Sequence, residues 1–95
     1  MKNLKLETDI HELKILPQYF QAVWNGDKTF ELRKGDRDYK VGDYLLLREY
    51  TGEYYTGSFI KVLITYILKD CPEYGLDKDY CILSFKRASF NDVCS

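Results

Sequence analysis

Lys28, Glu31 and Arg33 lie close together in the segment Gly26-Asp27-Lys28-Thr29-Phe30-Glu31-Leu32-Arg33-Lys34-Gly35-Asp36-Arg37, which gathers seven charged residues around Phe30 and Leu32. Each of the three brings a different chemistry. A lysine ammonium reaches for phosphate or a base carbonyl, and a desolvated lysine can serve as a base or nucleophile. A glutamate accepts from an exocyclic amine or holds a cation in place. An arginine presents a planar fork to phosphate or to the edge of a base. Read as a strand, the alternation sets Thr29, Glu31 and Arg33 on one face and Phe30 and Leu32 on the other. The expectation is a polar row turned outward, anchored by a buried Phe/Leu pair. An exposed Glu31–Arg33 pair contributes only about 0–1 kcal/mol, so stability alone gives little reason for it.

Further candidates surround this row. Arg37 lies in the turn Lys34-Gly35-Asp36-Arg37-Asp38, where it can contact a ligand or pair with Asp36 or Asp38. Lys14, on the polar face of a first strand, is another possible phosphate contact. Tyr19 falls off the apolar stripe of the following helix, and with the hairpin residues Tyr54 and Tyr55 it could stack on an unpaired base. Trp24 lies on the stripe and is expected in the core. His11 is the sole histidine. It shares a face with Leu13 and Ile15, which suits either a core histidine or a general base at a rim. With no Cys or carboxylate at ligand spacing, it gives no support for a metal site. No G-x-S-x-G elbow and no Gly-rich phosphate loop occurs, and Cys81 sits on an inward strand face, where a thiol is inert.

The elements that must carry these residues are short. Thr8 to Leu16 reads as a strand. Pro17 suits the first position of a helix with Phe20, Val23 and Trp24 on its apolar stripe, ended by Gly26. Strands are expected over Thr29–Lys34, Tyr44–Tyr50, Phe59–Leu68 and Tyr80–Lys86. Val41-Gly42-Asp43 forms a tight turn into the third strand, and Pro72 to Leu76 a single helical turn. The face Ile60, Val62, Ile64, Tyr66 and Leu68 marks the fourth strand as the centre of the sheet, and Cys81, Leu83 and Phe85 point inward from the last. This pattern predicts an α+β domain, mostly antiparallel, with five or six strands curling into a small barrel and one helix after the first strand.

Ninety-five residues make one domain, with a core over about 8–87 and a loose tail over 88–95. The net charge of −1 argues against coating duplex nucleic acid by charge alone, although Lys and Arg number 14 and leave room for a local basic groove. Aromatic content is high at 16%, with nine Tyr, which suits twisted sheets and contact surfaces. The odd set Cys71, Cys81 and Cys94, without C-x-x-C spacing, predicts reduced thiols in a cytoplasmic protein. No apolar leader or membrane-length run is seen, so no membrane partner is expected.

The run Gly26-x-Lys28-Thr29-x-Glu31-x-Arg33, with Val41-Gly42-Asp43 downstream, resembles the ASCH branch of the PUA-like superfamily. The opening His11-Glu12-Leu13-Lys14-Ile15, with Pro17 and Tyr19-Phe20, looks more narrowly like its small members from phages and bacteria. The resemblance spans roughly His11 to Phe85. It implies a PUA-like β-barrel with a groove for RNA or a modified nucleotide, with Lys28, Glu31 and Arg33 on the matched motif; Arg37, Lys14, Tyr19 and His11 are the further residues expected to bind there, and neither a cofactor nor a metal is expected. Some ASCH-like proteins are small metal-independent amidohydrolases acting on acetylated cytidine. The position matching their threonine nucleophile here carries Glu31, which points to binding rather than catalysis. Hydrolysis of an N-acylated nucleoside, with Lys28 as base or activator, is the second reading. A protein-interaction factor using the Tyr-rich hairpin Tyr50 to Tyr55 is the third.

Overall fold

A computed structural model describes residues 8–88; of the tail expected over 88–95, Ala88 donates its N–H to the Lys61 carbonyl at 3.1 Å, and the residues from Ser89 on, Cys94 among them, lie outside the described residues. The elements are β1 (Ile10–Ile15), α1 (Pro17–Trp24), β2 (Phe30–Lys34), β3 (Tyr44–Tyr50), β4 (Tyr55–Leu68), a 3-10 turn (Pro72–Tyr74) and β5 (Tyr80–Arg87). Five strands form one sheet in the order β1-β3-β4-β5-β2, curled into a half-barrel. Three of its pairings are antiparallel, as expected, but β1 runs parallel to β3. That arrangement follows from α1, which carries the chain off the end of β1 and into β2 at the opposite edge. The best apolar strand, β4, takes the centre. It begins at Tyr55 rather than Phe59, because Tyr55 pairs with Tyr50 directly across the hairpin.

The concave side is filled by Leu13, Ile15, Phe20, Val23, Leu45, Leu47, Ile60, Val62, Ile64, Cys81, Leu83 and Phe85. The β4 alternation does not run through to Leu68, however. A bulge between Ile64 and Tyr66 shifts the register, so Tyr66 and Leu68 are exposed and Ile67 packs on the core instead.

The expected orientation of β2 is reversed. Its register pairs Glu31 with Leu83 and Arg33 with Cys81, and residues directly opposite one another share a face of the sheet. Leu83 and Cys81 point inward, so Glu31 and Arg33 do too. Phe30 and Leu32 are 45% and 54% exposed, whereas Glu31 is 5% exposed. Alternation separates the two faces of a strand; pairing decides which of them is the core.

Pro17 occupies the first turn of α1, and Gly26, at φ +85°, lets the chain turn back after it. Eight residues are too few to hold a helix alone. Burial of Phe20 and Val23 supplies the docking. Arg87, from the end of β5, donates to the carbonyl of Trp24 at 2.7 Å and lies over its ring at 5.1 Å. Trp24, expected in the core, is 51% exposed. It follows Phe20 by one helical turn and stacks on it at 6.0 Å, where its position at the helix end leaves it outside the sheet. Among the described residues no helix is long and apolar enough to cross a membrane.

Arg87 therefore ties the two ends of the fold together, and Arg87→Ala is expected to cost about 1–2 kcal/mol of stability. Urea denaturation followed by far-UV circular dichroism measures this; an unchanged midpoint would remove the cap from the account.

Candidate functional site

Two sheet edges bound the opening of the half-barrel. In β1, the bond from Tyr44 N–H to the Asp9 carbonyl sets the ladder so that odd-numbered residues bond to β3. The backbone of Ile10, Glu12 and Lys14 therefore faces the open side. In β2, the bonds from Phe85 N–H to Thr29 and from Gly35 N–H to Asp79 commit odd-numbered residues to β5. Phe30, Leu32 and Lys34 face the open side. No backbone ladder joins β1 to β2; side chains of the Lys28–Arg33 run span the gap.

Glu31 is the centre of that bridge. Its Oε1 accepts from the Lys28 ammonium, which also donates to the Phe30 carbonyl at 2.6 Å. Its Oε2 accepts from Arg33 Nε at 2.9 Å, and Arg33 Nη2 reaches across to the Lys14 carbonyl on β1. Lys28 is placed by the end of α1, where the N–H groups of Asp27 and Lys28 both bond to the Ala22 carbonyl. The carboxylate is thus buried with a cation on each oxygen, which offsets the desolvation it would otherwise suffer.

Above the network lies a groove of about 510 Å³, within the usual range of small-ligand sites. Lys14, Ile15, Leu16 and Tyr19 line one side, and Lys28 with Phe30 to Lys34 the other. Its cations are Lys14, Lys28, Arg33 and Lys34, against the single carboxylate Glu31. Tyr19 is 48% exposed, and the Lys28 ammonium sits 5.8 Å from its ring centre and 4.9 Å from that of Phe30. Of the residues singled out in the sequence, the fold brings together Lys14, Tyr19, Lys28, Glu31 and Arg33. Arg37 is outside this groove and borders an adjoining hollow with Lys14, Arg33 and Tyr55. Phe30, Leu32 and Lys34 also line the groove. Phe30 and Leu32 escaped notice as lining because their hydrophobicity pointed to the core.

His11 is elsewhere, buried at the start of β1. Its Nε2 donates to Asp43 Oδ2 at 2.8 Å, and its ring packs edgewise on Tyr39 at 4.8 Å. Asp9 stands two residues before His11 in the chain, and the parallel pairing of β1 and β3 adds Asp43, so that ligand atoms of Asp9, His11 and Asp43 lie within 4.8 Å of one another. In principle such a trio could hold a cation. Asp43, however, already accepts from the Asp9 N–H at 3.3 Å and the Lys40 N–H at 3.0 Å, besides His11, and the Lys40 ammonium lies 3.4 Å from the Asp9 carboxylate. The arrangement is a clamp that fastens the Val41-Gly42-Asp43 turn to β1. Gly42, at φ +98°, takes the left-handed conformation that the turn requires.

Burial pushes the Asp43 carboxyl up, but the hydrogen bonds from His11, Asp9 and Lys40 and the Lys40 charge outweigh it, leaving it below its ordinary value of 3.8. Burial raises the Cys81 thiol, with Lys69 opposing, in keeping with a structural role. Burial likewise raises Tyr39, with Arg37 and Arg33 opposing.

Because the folded Asp43 carboxyl titrates below the unfolded one, the unfolded chain binds a proton first as pH falls, and stability declines. The contribution is complete well above 3.8 and is lost as pH drops through that value and below. Urea midpoints measured from neutral pH to about pH 3 should fall for the wild type and converge on those of Asp43→Asn; a constant gap between the two would refute the clamp. Removing Glu31 strands two cations, so Glu31→Ala should cost about 3 kcal/mol. Glu31→Leu, which restores packing, should cost less if Arg33 turns to solvent, and the same denaturation experiment compares them.

Residues 10–85 match the family described as "Domain of unknown function (DUF3850)". A protein of Escherichia phage P2, the "Uncharacterized 12.9 kDa protein in GpA 3'region", is 43% identical over 56 residues, covering 59% of this chain and 51% of the phage protein. The chain thus spans about half the length of the curated relative it matches. With the match running from the first residue of β1 to the inward Phe85 of β5, the chain belongs to the DUF3850 family.

Proposed function

We propose that the chain is a non-enzymatic binding module of the PUA-like, ASCH type, which takes a nucleotide, free or within unpaired RNA, in the groove between β1 and β2. The observation that carries this reading is the groove's lining: exposed rings and cations around a buried, cation-held carboxylate. Tyr19 and Phe30 offer π-faces to a base, which stacking uses without regard to sequence. Arg33 spends Nε and Nη2 on Glu31 and Lys14, leaving Nη1 for a phosphate or a base carbonyl. Lys14 and Lys34 add phosphate contacts at the two sides.

Binding is preferred to hydrolysis on the same geometry. Glu31 is hydrogen-bonded on both oxygens, and Lys28 donates to Glu31 and to Phe30. A nucleophile or general base needs a free lone pair aimed at the substrate, and both groups are engaged with each other.

Fluorescence titration against a random RNA pool at low salt should show binding of modest affinity, and no binding would end this reading. Tyr19→Ala should weaken it about tenfold through loss of one stack. Lys34→Ala should lower the slope of log affinity against log salt by about 0.7.

A further inference from the structure

The groove does not end at Lys14. The outer face of β1 carries Glu12 and Lys14 toward the β3–β4 hairpin, where cations lie on rings. The Lys14 ammonium is 4.5 Å from the centre of the Tyr50 ring, and the Arg48 guanidinium 3.8 Å from that of Tyr55. The two tyrosines pack at 5.1 Å, and Glu12 accepts from Arg48 at 3.0 Å, which fixes the guanidinium over its ring. A hollow of about 270 Å³ opens here, bounded by Glu12, Lys14, Arg33, Arg37 and Tyr55. It shares Lys14 and Arg33 with the groove.

The hollow repeats the chemistry of the groove: an exposed ring beside cations, with its one carboxylate already paired. A free nucleotide has one base and needs one such unit. Two units joined by a wall of cations fit a polymer in which planar bases alternate with phosphates. An extended peptide would instead call for apolar side-chain pockets along a pairing edge, and the Lys14 carbonyl at that edge is already taken by Arg33.

We infer that the groove is one half of an elongated site for an unpaired polynucleotide, with a phosphate crossing the Lys14–Arg33 wall and the next base meeting Tyr55. This rests on the nucleotide-binding reading of the groove. RNA and single-stranded DNA share the recognised chemistry.

The test is equilibrium titration of the full chain with a labelled mononucleotide and with mixed-sequence di-, tetra- and octaribonucleotides. The tetranucleotide should bind at least about tenfold more tightly than the mononucleotide. Tyr55→Ala should abolish that gain, and Tyr55→Phe, which keeps the ring, should retain it. A matching deoxyribose series assigns the strand: parity means that the 2′-hydroxyl is not read, and weaker binding identifies RNA, either result upholding the elongated site. Equal affinity at every length, or a length gain that survives Tyr55→Ala, would overturn the inference while leaving the groove intact. If neither the mononucleotide nor any oligonucleotide binds, the groove reading itself falls and this inference with it.

Discussion

A carboxylate on the concave side of a half-barrel has to be answered by cations, and the local architecture follows from how Glu31 is answered. Lys28 comes from the loop after α1 and Arg33 from the same strand two residues on, so one acidic group ties the helix end to the edge strand. Arg33, once held, has its fork directed at the Lys14 carbonyl on the far edge. Replacing Lys28, Glu31 and Arg33 together by well-packed apolar side chains would give comparable or greater stability. What the carboxylate contributes is position: a lysine and an arginine held at set places beneath an open groove, with Phe30 and Leu32 turned outward as its wall.

The fold buries a second carboxylate for a different purpose. Asp43 receives two backbone N–H groups and the His11 ring at the far end of β1, and fixes where the parallel pairing of β1 and β3 begins. Glu31 is matched by charged side chains and Asp43 mostly by backbone. That difference sets one beneath an open groove and the other inside the turn that it fastens to β1.

Much of the scaffold was legible in the sequence because its signals are local. The bounds Tyr44–Tyr50 of β3, the start of α1 at Pro17 and the inward set Cys81, Leu83 and Phe85 all follow from alternation and from proline and glycine positions. What could not be read depends on contacts distant in sequence. The reversal of β2 is decided by its register against Leu83 and Cys81, which hydrophobicity alone points the wrong way. Tyr66 and Leu68 leave the core because of a bulge at Thr65, a residue with no special signature. His11 gained the Asp43 carboxylate only through a parallel pairing that joins residues more than thirty apart. Within the candidate site, Lys28, Glu31 and Arg33 were found because their partners are neighbours in the chain. Phe30 and Leu32 were misplaced because the reason for their exposure lies on β5.

The side-chain bonds at the mouth of the half-barrel also bear on its two sheet edges. Two unpaired sheet edges, β1 and β2, invite a strand from another copy to complete their ladders. Arg33 occupies the carbonyl of Lys14 on one edge, and Lys28 occupies that of Phe30 on the other. An incoming strand would meet positive charge where it needs a free acceptor. The charges that shape the groove therefore also stand at one carbonyl of each edge, where a further strand would have to displace them to extend the sheet.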